Sequence, residues 1–296
     1  MFNNILGNDN IKELLTNAVK NNKASHSYMF VGTEGIGKKL IAKEFAKMIL
    51  CTDENKYCGK CKSCIEFESS NNPDFKIIEP DGNSLKIEQI REFQNKVSEK
   101  PIISNRKVYI INDSDKMTTE AQNCLLKTLE EPPEFVTIIL IGSNESAFLD
   151  TIKSRCMILR FNKISDENIV KFLEENFQTK VNSQSMLEAF QGSIGKAIQL
   201  QDKQDEYEQI ENVIINLEKR DKIDTLNKAE VIYKAKEEKF EILDYINIIL
   251  LDIAKKSSKY AMCINIVEDT KRRLQSNANY DMSIDNMLLK LWEQVH

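Results

Sequence analysis

Residues 32–38 have the spacing of a phosphate-binding loop, G-x-x-x-x-G-K. An apolar run at 28–31 precedes them and predicts a buried strand, and residues 40–50 follow with apolar side chains at helical spacing. The backbone N–H groups of such a loop and the positive end of the next helix can surround a polyphosphate. We therefore predict a nucleotide-type site at Gly32, Gly35, Gly37 and Lys38.

The set of residues that normally holds magnesium at such a site is incomplete in this sequence. The position after the loop lysine normally carries Ser or Thr, whose hydroxyl binds the cation, but here it is Lys39. A later apolar run, 107–112, ends at Asn112 and Asp113, where a nucleotide hydrolase carries Asp-Glu. Asn112 is neutral, and Asp113 is one methylene shorter than Glu. The sequence thus predicts the architecture of an ATPase without all of its catalytic groups.

Four of the seven cysteines fall in one short segment, spaced C-x6-C-x2-C-x2-C. Four thiolates complete a closed tetrahedral zinc site, and a C-x2-C turn lets two thiolates bind one metal. Neither histidine, at 26 or 296, lies in the segment. We predict a structural rather than catalytic zinc, the alternative being a chance cluster of free thiols. The predicted ligands are Cys51, Cys58, Cys61 and Cys64.

Composition indicates a soluble chain of two or three domains, with 41% hydrophobic and 29% charged residues in 296. No apolar run approaches the roughly 18 residues of a membrane span, and the amino terminus lacks signal-peptide character. We therefore expect a cytoplasmic protein without a membrane partner. Neither half of the chain has the basic excess of a self-sufficient DNA-binding domain, because residues 1–163 have a net charge of +1 and residues 164–296 one of −6.

Five apolar runs alternate with helical patterns up to residue 161, at 28–31, 75–79, 107–112, 136–142 and 157–161. This alternation predicts a five-stranded parallel α/β sheet with helices on both faces. Predicted helices include 9–22, capped by Asp9, and 119–131, with a capping box at Thr119 and Gln122. After Lys163 the pattern is all-helical, with packed apolar faces near 242–253 and 284–295.

The order of these motifs is specific when two further ones are added. Leu-Leu-Lys-Thr-Leu-Glu-Glu-Pro-Pro occupies 125–133, and Ser-Arg-Cys occupies 154–156. With the phosphate loop and the four cysteines, the chain resembles bacterial clamp-loader subunits of the AAA+ class, motif by motif over about residues 5–200.

The resemblance implies a place in a hetero-pentamer that opens a sliding clamp and puts it on primed DNA. Its partners would be clamp-loader motor subunits, a delta-type subunit, the clamp, and DNA through the assembly. It implies three parts: an AAA+ nucleotide-binding-like domain at 1–163 with the zinc module at 51–64, a helical lid at 164–204, and a helical collar at 205–296.

The resemblance also assigns roles to single residues. Arg155 would act as an arginine finger, projecting to the phosphates in the neighbouring subunit's site, and Ser143 lies where the family has its first sensor. Motor subunits carry a nucleotide-sensing Arg where this chain has Gly195. With Lys39 and Asn112 this makes three departures, which favour a non-motor subunit of the DNA polymerase III holoenzyme without ATP turnover of its own. They leave binding of ATP and Mg²⁺ open.

Three alternatives remain at this stage. The chain is an active motor ATPase in which Lys38 and Asp113 suffice; or the cysteine module reads nucleic acid directly; or Arg155 serves only a local ion pair. Against the second, the segment 51–64 has only three lysines and one aromatic residue.

Overall fold

A computed structural model describes residue 2 and residues 5–54, 56–181 and 183–296. Asn55, within the predicted zinc module, and Asn182, within the predicted lid, lie outside the described residues, as do residues 1, 3 and 4. The chain divides into two compact units. The first ends at Asn168 and also includes Ser193–Gly195, and the second comprises Ile169–Gly192 and Lys196–His296. The three-part division at 163 and 204 stays a prediction.

A five-stranded parallel sheet forms the centre of the first unit, as predicted. The spatial order is β2-β3-β4-β1-β5. Every residue of β1, β3 and β4 is buried, which is why these runs are apolar without alternation. The strands are β1 Ser27–Val31, β2 Phe75–Ile78, β3 Lys107–Ile111, β4 Val136–Gly142 and β5 Met157–Arg160.

Helices cover both faces of the sheet and divide the core into two clusters. Leu15, Phe45 and Phe67 pack with one set of alternating strand residues, and Ile90, Leu125 and Ile152 pack with the other. The first cluster is contributed by α1 Asp9–Lys20, α2 Lys38–Leu50 and α3 Lys62–Glu68. The second is contributed by α4 Ile87–Val97, α5 Thr119–Glu130 and α6 Asp150–Lys153.

The second unit is helical, as the change of pattern after Lys163 predicts. The predicted apolar faces of two of its long helices are buried except at Ile253, which is half-buried. The buried residues are Ile242, Ile246, Ile249 and Leu250 on one helix and Ile284, Met287, Leu288, Leu291 and Val295 on the other. Its core includes Tyr207 and Tyr245, whose ring centroids are 4.7 Å apart. The helices are α7 Asp166–Phe177, which continues from the first unit, α8 Gln184–Phe190, α9 Ile194–Gln201, α10 Gln204–Ile215, α11 Lys222–Lys228, α12 Glu230–Lys234, α13 Lys239–Ala254, α14 Ala261–Gln275 and α15 Tyr280–Val295.

Two predicted helix caps are wrong by one residue. The residue before α1 is Asn8, in the left-handed region at φ 56°, so Asp9 is the first helical residue rather than the cap. At α5 the cap is Thr118, whose side chain accepts a hydrogen bond from the Ala121 N–H. Gln122 is therefore not part of a capping box and instead bonds the backbone at Ala147 and Leu149. Among the described residues, no helix is long and apolar enough to cross a membrane.

Candidate functional site

The phosphate loop lies at the carboxyl edge of the sheet, between β1 and α2. Gly35 and Gly37 have φ values of 75° and 93°, in the left-handed region that an L side chain rarely adopts. Gly37 is also the residue from which α2 begins. The glycines at these two positions are thus required by the backbone of the loop, and the predicted strand–loop–helix context is present.

The ammonium group of the loop lysine, Lys38, forms hydrogen bonds with the loop's own backbone. Lys38 is 7% exposed, and its Nζ donates to the backbone oxygens of Gly32 at 2.6 Å and Thr33 at 2.7 Å. Burial lowers the pKa of Lys38, while the nearby carboxylates of Asp115, Glu34 and Asp113 act to raise it. The ammonium group that a phosphate would need is held by two carbonyls of its own loop.

The positions that would coordinate magnesium are occupied by paired charges. Lys39 forms an ion pair with Glu79, which follows β2. Asp113, after β3, has φ 47° and pairs through Oδ2 with Lys116 at 3.1 Å. An ammonium group cannot ligate a cation, and Asn112 brings no charge to the site. This donor set does not fit Mg²⁺ held in the way of a phosphate-loop ATPase.

Gly195 packs directly on the phosphate loop. Its backbone N–H donates to the Gly35 carbonyl oxygen at 3.0 Å. A Cβ added at Gly195 would lie 2.9 Å from the Gly35 Cα, closer than real Cβ contacts. The contact with Gly35 therefore leaves no room at this position for the arginine that the resemblance leads one to look for.

Asp115 is a residue of this site that the sequence analysis missed. Its Oδ2 accepts hydrogen bonds from the backbone N–H groups of Ser143 and Asn144, both at 3.0 Å, and from the Ser143 hydroxyl at 3.3 Å. Its Oδ1 is buried with no hydrogen-bond partner among the described residues. Asp115 thus ties the end of β3 to the end of β4. The sensor role of Ser143 stays a prediction, with its hydroxyl directed to Asp115.

The four predicted zinc ligands come together in one cluster. Their sulfur atoms all lie within 4.8 Å of one another, with Cys51 Sγ 3.7 Å from Cys58 Sγ and 4.0 Å from Cys61 Sγ. Four sulfurs bound at about 2.3 Å in a tetrahedron are about 3.8 Å apart. The residues present therefore fit a four-coordinate metal ion with no position left for substrate.

Local structure places the four thiols. Cys51 follows the last residue of α2, Cys61 precedes α3, and Cys64 lies in the first turn of α3. Backbone N–H groups of Lys60 and Cys61 point to the Cys58 sulfur at 3.4 and 3.3 Å. Burial raises the pKa of Cys51 and Cys64. Burial also acts to raise the pKa of Cys61, but hydrogen bonds from Thr52 and Cys64 lower it to about 6.

Lys47 of α2 connects the sheet domain to the cysteine segment. Its Nζ lies 2.7 Å from Glu44 and 2.8 Å from Glu68, at the end of α3. It also lies over the rings of Tyr57 and Phe67, 5.5 and 5.7 Å from their centroids. The cysteine segment is thus attached to α2 by a charge network as well as by Cys51.

Ser154, Arg155 and Cys156 each have a distinct contact. The Arg155 Nη1 donates to the Thr151 carbonyl oxygen at 2.9 Å and to the Ser154 hydroxyl at 3.2 Å, and its Nη2 donates to Glu130 Oε1 at 2.6 Å. Cys156 packs against the core, and burial raises the pKa of its thiol to about 12. The local ion pair is therefore present, on an arginine side chain that is 33% exposed.

Arg155 and the phosphate loop lie at opposite ends of the strands of the sheet. β1 and β5 are parallel, with Tyr28 opposite Met157 and Val31 opposite Arg160. Arg155 precedes this paired stretch and the loop follows it, so about 10 Å of strand separates their levels. The structure brings the loop, Asp113 and Asp115 together at the carboxyl ends of the strands. Arg155, which precedes β5, and the cysteine cluster between α2 and α3 are not part of this group.

Comparison with known proteins gives a consistent set of relatives. The family model described as DNA polymerase III, delta subunit, matches residues 7–165. DNA polymerase III subunit delta' of Bacillus subtilis is 34% identical over 208 residues, 70% of this chain and 63% of the relative. Subunit tau/gamma of Haemophilus influenzae is 35% identical over 211 residues, 68% of this chain and 30% of the relative. The chain thus spans less than two thirds of the length of these relatives.

A solved structure matches along almost the whole chain at low identity. A DNA polymerase III gamma subunit-related protein from Thermotoga maritima is 18% identical, and the match covers 97% of this chain and 99% of that one with a TM-score of 0.49.

Proposed function

This chain belongs to the DNA polymerase III delta-prime family of clamp-loader subunits, and on that premise we propose that it helps load the sliding clamp onto primed DNA. It does so as one member of a hetero-pentamer with motor subunits and a delta-type subunit, in the cytoplasm. Clamp and DNA are reached through the assembly. The proposed parts are the AAA+ domain at 1–163, a lid at 164–204 and a collar at 205–296 that joins the pentamer.

We further propose that the chain does not hydrolyse ATP and instead supplies Arg155 to a neighbouring motor subunit. The observation that supports this division of labour is the separation of Arg155 from the chain's own phosphate loop by the length of the paired strands. A guanidinium at the amino ends of the strands is too far from the phosphate loop, at their carboxyl ends, to act on a nucleotide bound there. Its ion pair with Glu130 is compatible with this role, because a guanidinium has five N–H donors.

The metal in the cysteine cluster is proposed to be zinc, held by Cys51, Cys58, Cys61 and Cys64 in a structural role. Four thiolates with no open coordination position suit Zn²⁺ and leave no place for a reacting water. The zinc would fix the segment between α2 and α3 and take no part in chemistry.

A motor ATPase is the second candidate, because tau/gamma relatives match this chain with an identity similar to that of the delta' relative. The contacts in the phosphate loop oppose it. Lys38 is held by loop carbonyls, Lys39 replaces a magnesium ligand, and Gly195 fills the place next to Gly35.

Co-purification tests the assembly. The tagged chain is co-expressed with the motor and delta-type subunits of its own source, and the complex is sized by native mass spectrometry. We expect one copy of this chain in a stable hetero-pentamer. A chain that binds neither subunit, or that forms the motor position in several copies, would contradict the proposal.

A further inference from the structure

Glu130 makes the one ion pair of Arg155 within the described residues, with 2.6 Å between Nη2 and Oε1. We propose that Glu130 is the positioning residue for Arg155: its carboxylate fixes the orientation in which the guanidinium meets a phosphate of the neighbouring subunit. This inference rests on the proposed function of Arg155. It concerns a residue 25 positions away in the chain, at the end of α5, whereas Arg155 lies in the turn between α6 and β5.

The hydrogen-bond inventory shows that the pair leaves room for a ligand. Three of the five N–H donors of Arg155 are used, by Thr151, Ser154 and Glu130. The Nε–H and one Nη2–H have no partner among the described residues. Two remaining donors are what a phosphate group takes up in a bidentate contact. Glu130 can therefore hold the guanidinium while the phosphate binds.

The location of Glu130 strengthens its attraction for the guanidinium. It is the last residue of α5, where the free carbonyl groups of the helix already carry partial negative charge. A carboxylate is unfavourable at this end of a helix unless a cation lies beside it. The arginine offsets that cost, because the partial negative charge of the helix end and the carboxylate of Glu130 both attract its guanidinium.

The ion pair between Arg155 and Glu130 is too exposed to contribute much to folding stability. The side chains of Arg155 and Glu130 are 33% and 48% exposed, and ion pairs in water-accessible positions add little to folding stability. Loss of Glu130 should therefore leave the fold intact. Its effect would fall on orientation, because an arginine held only by Thr151 and Ser154 can turn about its long stem.

Glu131 offers a matched control. It is the next residue, exposed, and forms no bond to Arg155 in the structure. Glu130→Ala and Glu131→Ala remove the same charge from the same helix end, and only Glu130 contacts the guanidinium. Glu130→Gln keeps an acceptor oxygen and removes the charge.

The experiment uses a reconstituted clamp loader in which only the ATP site facing Arg155 is active. We expect Glu130→Ala to lower kcat for ATP about 10-fold, by analogy with the roughly 10–100-fold losses that follow removal of a group that orients a metal ligand. KM for ATP should stay unchanged, kcat of Glu130→Gln should lie between those of wild type and Glu130→Ala, and Glu131→Ala should match wild type.

The free chain supplies an independent readout. Nitrogen-15 NMR of the Arg155 guanidinium, assigned with Arg155→Lys, should show slow Nη rotation in wild type and faster rotation in Glu130→Ala. Unchanged rotation would overturn the inference whatever Arg155 does in the assembly. Faster rotation with unchanged kcat would also overturn it. If Arg155→Ala itself leaves kcat unchanged, the proposed function of Arg155 has failed, and the inference fails with it.

Discussion

Lys38 and Arg155 lie at opposite ends of two adjacent parallel strands, β1 and β5. Lys38 follows the carboxyl end of β1 and is held by the carbonyls of Gly32 and Thr33, while Arg155 precedes the amino end of the adjacent strand β5. These two cationic side chains therefore cannot contact the same bound phosphate. Lys38 faces the chain's own loop, and Arg155, with a side chain 33% exposed, is the residue that we propose acts on a neighbouring subunit.

We predict one tightly bound zinc per chain. Structural zinc contributes about 10–16 kcal/mol of binding in small peptides at neutral pH, and this energy folds the segment that holds it. Cys61→Ser should loosen the cysteine segment while the sheet stays folded, and Cys263→Ser, a buried cysteine outside the cluster, should keep the metal. Metal analysis after purification without chelator, followed by limited proteolysis, measures both. A zinc content near zero with four reactive thiols would rule the site out.

We predict that the purified chain hydrolyses ATP no faster than background. Without a placed magnesium ion, the charge that develops on the transferred phosphoryl group is left largely uncompensated. Steady-state phosphate release with and without a primed template is the measurement, and Lys38→Ala should give the same rate as wild type. Turnover comparable to that of a motor subunit, lost on Lys38→Ala, would show that the second candidate function is right.

We predict that Gly195→Ala destabilises the chain by about 1–3 kcal/mol, because the added methyl group would meet the Gly35 backbone at 2.9 Å. Gly195 lies in α9, where helix propensity alone would make Ala more stable by about 1 kcal/mol. The sign of the change in unfolding free energy, measured with urea, separates the two effects. A more stable variant would mean that the loop contact does not constrain this position.

The elements of the sheet could be predicted because their signals are local. Apolar runs gave all five strands within one residue at each end, and β4 matches its predicted bounds. The cysteine cluster was predictable for the same reason, since all four ligands lie within one short loop and the turns beside it. The parallel arrangement followed from the alternation of strands and helices.

Features that depend on backbone angles or distant partners could not be predicted. Thr118 and Thr119 are adjacent and chemically identical, and only the extended φ and ψ of Thr118 select it as the cap. Asp115 was missed because its partners at Ser143 and Asn144 come 28 and 29 residues later. The partner of Arg155, Glu130, likewise comes from a distant element, the end of α5, and no spacing rule connects the two.

The central claim is that Arg155 acts on a neighbour's ATP, and one measurement tests it most directly. The clamp loader is reconstituted with Arg155→Ala, and DNA-dependent ATPase and clamp loading are measured beside assembly and zinc content. An arginine supplied in trans typically changes phosphoryl-transfer rates by about 10³–10⁵. We therefore expect intact assembly and zinc, near-complete loss of turnover at the adjoining site, and a severe loading defect, with little rescue by Arg155→Lys because the guanidinium fork is gone. Unchanged ATPase and clamp loading in a fully assembled Arg155→Ala complex would contradict the account.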